Sequence, residues 1–156
     1  PLPEAQLDRF MFNINLDYPS HSEEVDIVKQ TTTNREVSLA KKLHGDDIIG
    51  FQQLIRRMPI ADNVLEYAVT LSTKTRPETK GAAEMSNNYL AWGAGPRASQ
   101  FLVLGAKANA AINGKYSPDI EDVKKVALPI FRHRLVRNYK AEAEGITIEK
   151  IVDNLL

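Results

Sequence analysis

The apolar positions of the chain fall into two rhythms. Phe12-Asn-Ile-Asn-Leu16 alternates apolar with polar, which predicts a strand with one covered face over residues 10–16. Elsewhere the period is helical. Tyr18-Pro19 ends the strand, and Ser20-x-x-Glu23 has the form of a capping box, in which Ser accepts an orphan amide and Glu reaches back. A helix over 21–31 is predicted, with Val25 and Val28 inward. Residues 32–45 are polar and fit either a short hairpin or an irregular loop. After Gly45-Asp46, the residues Ile48, Ile49, Phe51, Gln52 and Ile55 carry a helix to Pro59, which cannot donate an amide hydrogen bond and stops it. Val64, Leu65, Ala68, Leu71 and Ser72 then make one helical stripe running to about Thr75, before Arg76-Pro77 breaks it.

Residues 77–93 read as a long surface loop with room for a short helical turn. Pro96 suits the first turn of a helix whose stripe is Ala98, Phe101, Leu102, Gly105, Ala108 and Ile112. Those small residues imply close contact with another helix, and Asn113-Gly114 ends the run. Ser117-Pro118-Asp119 predicts the next start, with Ser117 as N-cap, Pro118 at N1 and acids at the positive end of the dipole. Pro129 should kink that helix or end it near Leu128, and a last short helix is expected over 147–155. The sum is one strand and about six helices, a mainly α chain. A lone strand needs partners for its backbone groups, so its sheet is expected upstream of "PLPEAQLDRF" (1–10).

Composition narrows the field. The 156 residues suit one domain, able to bury most of its surface. Lys plus Arg equals Asp plus Glu at 20 each, so no global field draws nucleic acid or an anionic membrane. The absence of Cys excludes disulfides, thiolate metal sites and a Cys nucleophile. No apolar run approaches the roughly 20 residues that span a bilayer, and the expectation is a soluble, cytoplasmic protein.

Candidate chemistry is sparse. Gly45-Asp-Asp-Ile-Ile-Gly50 has the glycine spacing of a phosphate loop, but Phe51-Gln52 stand where Lys and Ser/Thr are required, so it reads as a helix start. Gly93-Ala-Gly95-Pro-Arg-Ala98 matches a dinucleotide fingerprint without a βαβ unit around it. Arg97 lies in a helix's first turn, where amides favour an anion and a guanidinium can grip a phosphate. On the residues alone, Arg97 and Arg9 are better read as surface or ion-paired arginines. Between Val123 and Tyr139 there are no acids but Lys124, Lys125, Arg132, His133, Arg134 and Arg137. That run reads as a solvated face, a surface for an acidic protein, or a phosphate contact. His21, His44 and His133 lack metal spacing, and neither a metal site nor a nucleophile is assigned.

Five stretches carry a resemblance: "PLPEAQLDRF" (1–10), "YPS" with acids after it (18–24), "GPRAS" (95–99), "YSPDIEDV" (116–123) and "RHRLVRN" (132–138). In this order they resemble the C-terminal part of a MoxR-family AAA+ ATPase over essentially the whole chain. The resemblance implies a helical-bundle lid domain over 19–156, preceded over 1–18 by the end of an α/β ATPase core, its finger segment and last strand. It implies Walker A and Walker B motifs upstream, and no ATP hydrolysis by these residues alone. Arg9 resembles the arginine finger, which reaches the γ-phosphate held by the neighbouring subunit of a ring. Arg97 resembles the sensor 2 arginine, which contacts its own subunit's nucleotide. Gly95 departs from the small Ser expected there and leaves Arg97 aligned. ATP and Mg2+ in the full-length protein, a homo-oligomeric ring, chaperone-like maturation or cofactor insertion, and partners with von Willebrand factor A domains are implied likewise. The alternative is a self-sufficient helical adaptor that binds protein or RNA through the 124–140 basic patch.

Overall fold

A computed structural model describes residues 2–34 and 38–156. The described residues are mainly helical. In chain order they form α1 (Glu4–Leu7), α2 (His21–Thr31), α3 (Gly45–Arg57), α4 (Asp62–Lys74), α5 (Glu84–Tyr89), β1 (Leu90–Trp92), α6 (Pro96–Ile112), α7 (Ile120–Phe131), β2 (Val136–Arg137), α8 (Tyr139–Ala143) and α9 (Ile148–Leu155).

α6 is the centre. It packs on α7, α4 and α3, while α9 lies against α7 and α5. The small residues on its buried face permit this: Ala98, Gly105, Ala106 and Ala110 are buried with Leu102. A Cβ built on Gly105 would stand 3.2 Å from Val126 Cγ2 and 3.2 Å from Met11 Cε, tighter than ordinary packing. The core is filled by Leu71, Leu102, Val123, Ile130, Phe131 and Ile151. The expected stripe of α6 is right at its start and shifts after Gly105: Ala106 and Ala110 are buried, and Ile112 is exposed.

Caps set the helix starts. Ser20 and Glu23 form the expected box on α2, with the Ser20 amide donating to Glu23 at 2.8 Å. On α7 the cap is Asp119, not Ser117, so Pro118 precedes the helix instead of entering it. Asp119 offers a full carboxylate to the Asp122 amide, a stronger acceptor at the positive helix end than a hydroxyl. The helix also runs through Pro129 to Phe131 instead of stopping near Leu128. Packing of Ile130 and Phe131, both fully buried, offsets the missing amide bond.

Two further expectations are corrected. Residues 10–16 form no strand; their backbone is met by the Asn13 amide bond to the Pro129 carbonyl, at 2.8 Å, and by side chains. The strands present are β1 and β2, an antiparallel pair with Leu90 opposite Arg137 and Trp92 opposite Val136. Val25 and Val28 are exposed, because among the described residues no element covers α2, and none of its residues is buried. In the ambiguous stretch 32–45, residues 35–37 lie outside the described residues; 38–44 carry no helix or strand.

Candidate functional site

The loop that delivers Arg97 is fixed from below. Ala94 is buried, its amide donating to Thr75 Oγ1 at 2.9 Å and its carbonyl accepting from Arg76 Nε at 2.9 Å. Gly93 lies so close to the end of α4 that a Cβ there would stand 2.2 Å from the Thr75 carbonyl oxygen. Gly95 then caps α6, Pro96 takes N1, and Arg97 follows in the first turn. The glycine pair serves a tight approach and a helix start, and among the described residues no dinucleotide unit surrounds it. Gly45 and Gly50 likewise belong to helix α3.

Arg97 is exposed, and its Nη1 donates to Asp8 Oδ2 at 2.7 Å. The other oxygen of that carboxylate accepts from Arg134 Nε at 2.9 Å. One acid therefore joins two arginines, one open to solvent and one in the core. The Arg134 side chain is 2% exposed, and every N–H of its guanidinium is used. Nη2 donates to the carbonyls of Asp8, at 2.8 Å, and Phe10, at 2.6 Å. Nη1 donates to the carbonyls of Met11, at 3.3 Å, and Ile130. The guanidinium carbon lies 5.1 Å from the centre of the Phe101 ring, within cation–π range. Burial pushes the Arg134 guanidinium below its ordinary pKa, and the bond to Asp8 opposes this. With its donors paired and a carboxylate beside it, the ion persists in the core.

The two residues before it hold the same segment. His133 Nε2 donates to the Phe10 carbonyl at 3.0 Å, and burial, then the Arg134 charge, lower its pKa below the ordinary histidine value. Arg132 Nη1 donates to the Asn13 carbonyl at 3.2 Å while its Nε pairs with Glu149 at 3.1 Å. Arg132, His133 and Arg134 thus meet the backbone of residues 8–13 from its far end to its near end. Arg9, within that stretch, is exposed, and its side chain makes no hydrogen bond or ion pair among the described residues.

The run 124–140 is therefore not an open basic patch. Lys124 pairs with Glu121 at 2.8 Å, Arg137 donates to the Ile146 carbonyl at 3.0 Å, and Lys140 lies over the Tyr89 ring. Lys125 remains exposed. Sequence reasoning placed Arg134 at the surface and gave Asp8 no part. A signal was available: Arg134 continues the buried spacing of Val123, Val126, Ala127 and Ile130. Among the described residues no group of three or more His, Asp or Glu is arranged to hold a metal, and no helix is long and apolar enough to cross a membrane.

Residues 82–155 match the family described as the AAA lid domain, from just before α5 to the end of α9. These residues are an AAA lid domain. The whole chain is similar to the chaperone MoxR1 of Mycobacterium tuberculosis, at 33% identity over 100% of this chain and 41% of that protein. It is similar to the uncharacterised Bacillus subtilis protein YeaC at 30% identity, over 100% of this chain and 46% of that one. A crystal structure of a candidate ATPase from Cytophaga hutchinsonii superposes with a TM-score of 0.87 at 33% identity, covering 99% of this chain and 47% of that one. The chain spans less than half the length of each. It is homologous to the C-terminal, lid-bearing portion of the chaperone MoxR1 and of the candidate ATPase, and Arg97 opens the longest helix of the lid.

Proposed function

We propose that the chain works as the lid of a MoxR-like AAA+ ATPase, a chaperone-like ATP hydrolase in protein maturation or cofactor insertion. The carrying observation is Arg97: a guanidinium in the first turn of α6, exposed, on a loop braced by Thr75 and Arg76, with only Nη1 engaged among the described residues. That arrangement suits a phosphate, which a guanidinium binds bidentately at a helix start. In this reading Arg97 acts as sensor 2 toward the nucleotide of its own subunit. Asp8 holds the side chain when no phosphate does. Arg9 acts as the arginine finger toward the nucleotide of a neighbouring subunit, which its exposure permits. Residues 1–18 then act as the end of the ATPase core and 19–156 as the lid, with ATP and Mg2+ held chiefly by the core. Bound there, Mg2+ neutralises developing charge on the phosphoryl group.

The test uses the full-length protein. Arg9→Ala is expected to leave ATP binding nearly intact and to cut hydrolysis roughly a thousandfold, as for other lost arginine fingers. Arg97→Ala is expected to weaken the dependence of lid position on bound nucleotide, read by fluorescence transfer between core and lid. Wild-type hydrolysis by Arg9→Ala rings overturns the finger. Unchanged nucleotide dependence in Arg97→Ala overturns sensor 2.

A further inference from the structure

We propose that Arg134, assisted by His133 and Arg132, is a positioning residue for Arg9, and that Asp8 ties this setting to Arg97. The inference rests on the reading of Arg9 as a finger and adds what holds it. A single nitrogen, Arg134 Nη2, binds the carbonyls of Asp8 and Phe10, the residues on either side of Arg9. The backbone that carries Arg9 is therefore clamped across its own position. His133 grips the Phe10 carbonyl a second time, and Arg132 holds Asn13 farther along. No strand ladder exists here among the described residues; turn bonds take the amides of residues 8–10, and these side chains supply donors to the carbonyls of Asp8, Phe10, Met11 and Asn13. A guanidinium acting across a subunit boundary needs its Cα placed to within about 1 Å, because such an error can cost about 10²-fold in rate.

Asp8 makes the device responsive. Its carboxylate divides between Arg97, at 2.7 Å, and Arg134, at 2.9 Å. An anion that draws Arg97 away leaves Asp8 to Arg134 alone, and the carbonyls held by Arg134 lie on the same backbone as Asp8. Occupancy sensed at Arg97 thereby reaches the residue next in sequence to the acid.

Complementation between subunits of the full-length protein tests this. Arg134→Lys keeps a cation near Asp8 and loses the fork across the two carbonyls. Alone, it is expected to lower kcat about 10²-fold with KM for ATP unchanged. Mixed with subunits whose phosphate-loop lysine is replaced but whose Arg9 and Arg134 are intact, it recovers turnover, because its own sites then receive well-placed fingers from neighbours. Arg9→Ala is run in parallel. Recovery by Arg9→Ala but not by Arg134→Lys puts the Arg134 defect inside its own subunit and overturns the positioning role while the finger stands. Failure of Arg9→Ala to recover removes the finger reading itself, and this inference with it. Wild-type kcat in Arg134→Lys overturns the positioning role directly. If that variant does not assemble, Arg132→Gln, which frees only the hold on Asn13 and Glu149, takes its place. It is expected to show the same recovery from a smaller loss, and an unchanged kcat there counts against the proposal.

Discussion

Gly93 and Gly95 stand two positions apart in one loop and obey opposite constraints. A methyl on Gly93 meets the Thr75 carbonyl oxygen at 2.2 Å and the Arg76 Cα at 2.6 Å, both main-chain atoms that cannot turn aside. Gly93→Ala is expected to destabilise the lid by about 2 kcal/mol and to displace the loop carrying Arg97. Chemical denaturation reads the first effect, and faster amide exchange at Arg97 reads the second. At Gly95 a Cβ meets nothing within 4 Å, and φ −77°, ψ 178° is open to any residue. Gly95→Ser is expected to stabilise by about 0.5–1 kcal/mol, through a hydroxyl cap on α6 and a stiffer unfolded chain. A raised denaturation midpoint at unchanged m-value checks it; a lowered midpoint contradicts the cap geometry.

At the scale of elements, the start of α7 shows how a cap becomes a pH response. Asp119 and Asp122 each accept the other's amide at 3.0 Å, and Lys115 Nζ reaches Asp119 at 2.9 Å and the buried Asp122 at 3.0 Å. The Lys115 bond, then the Asp122 amide, lower Asp119 from its ordinary 3.8 to about 2. Because the folded pKa is the lower, the stability Asp119 supplies is complete above about pH 4 and is lost as pH falls toward 2. Melting temperature should fall across that window, and fall less in Asp119→Asn; equal slopes would remove Asp119 as the cause. This element also marks what the sequence could reveal. Periodicity and caps placed α2, α3, α4 and α9 closely, since both signals are local. The choice between Ser117 and Asp119 was beyond them, because Lys115 and Asp122 meet only after the helix has formed. β1 and β2 were illegible for a stronger reason: two or three residues carry no period, and their pairing joins positions over 40 apart.

Across the whole molecule, order is discontinuous along the chain. Residues 8–13 are bound by the Arg132–Arg134 triplet, α2 buries nothing, and α4 onward forms the core. An uncovered helix of 11 residues is marginal in water. Amide exchange is expected to be slow at Asn13, bonded to Pro129, and slowest in α6 and α7. Exchange in α2 should be faster than in α7 on the order of 10³-fold or more. Equal protection in α2 and α7 would show that α2 packs on something. Amphipathy in the sequence named the apolar side of α2 at Val25 and Val28 but could not name a partner for it. The candidate site was legible to a similar degree. Motifs single out Arg9 and Arg97, whose roles are proposals, whereas Arg134 escapes notice because an arginine in a basic run is ordinarily solvated.

The hold of Arg134 on Asp8 spans 126 positions of sequence, and that separation dictates an order of events. Contacts closed over long stretches of chain form slowly, after the local pairing of neighbouring helices such as α6 and α7. During synthesis the Asp8 segment is made 126 positions ahead of Arg134, so its clamp is completed only when Arg134 follows. The segment bearing Arg9 is thus made well before it can find its place.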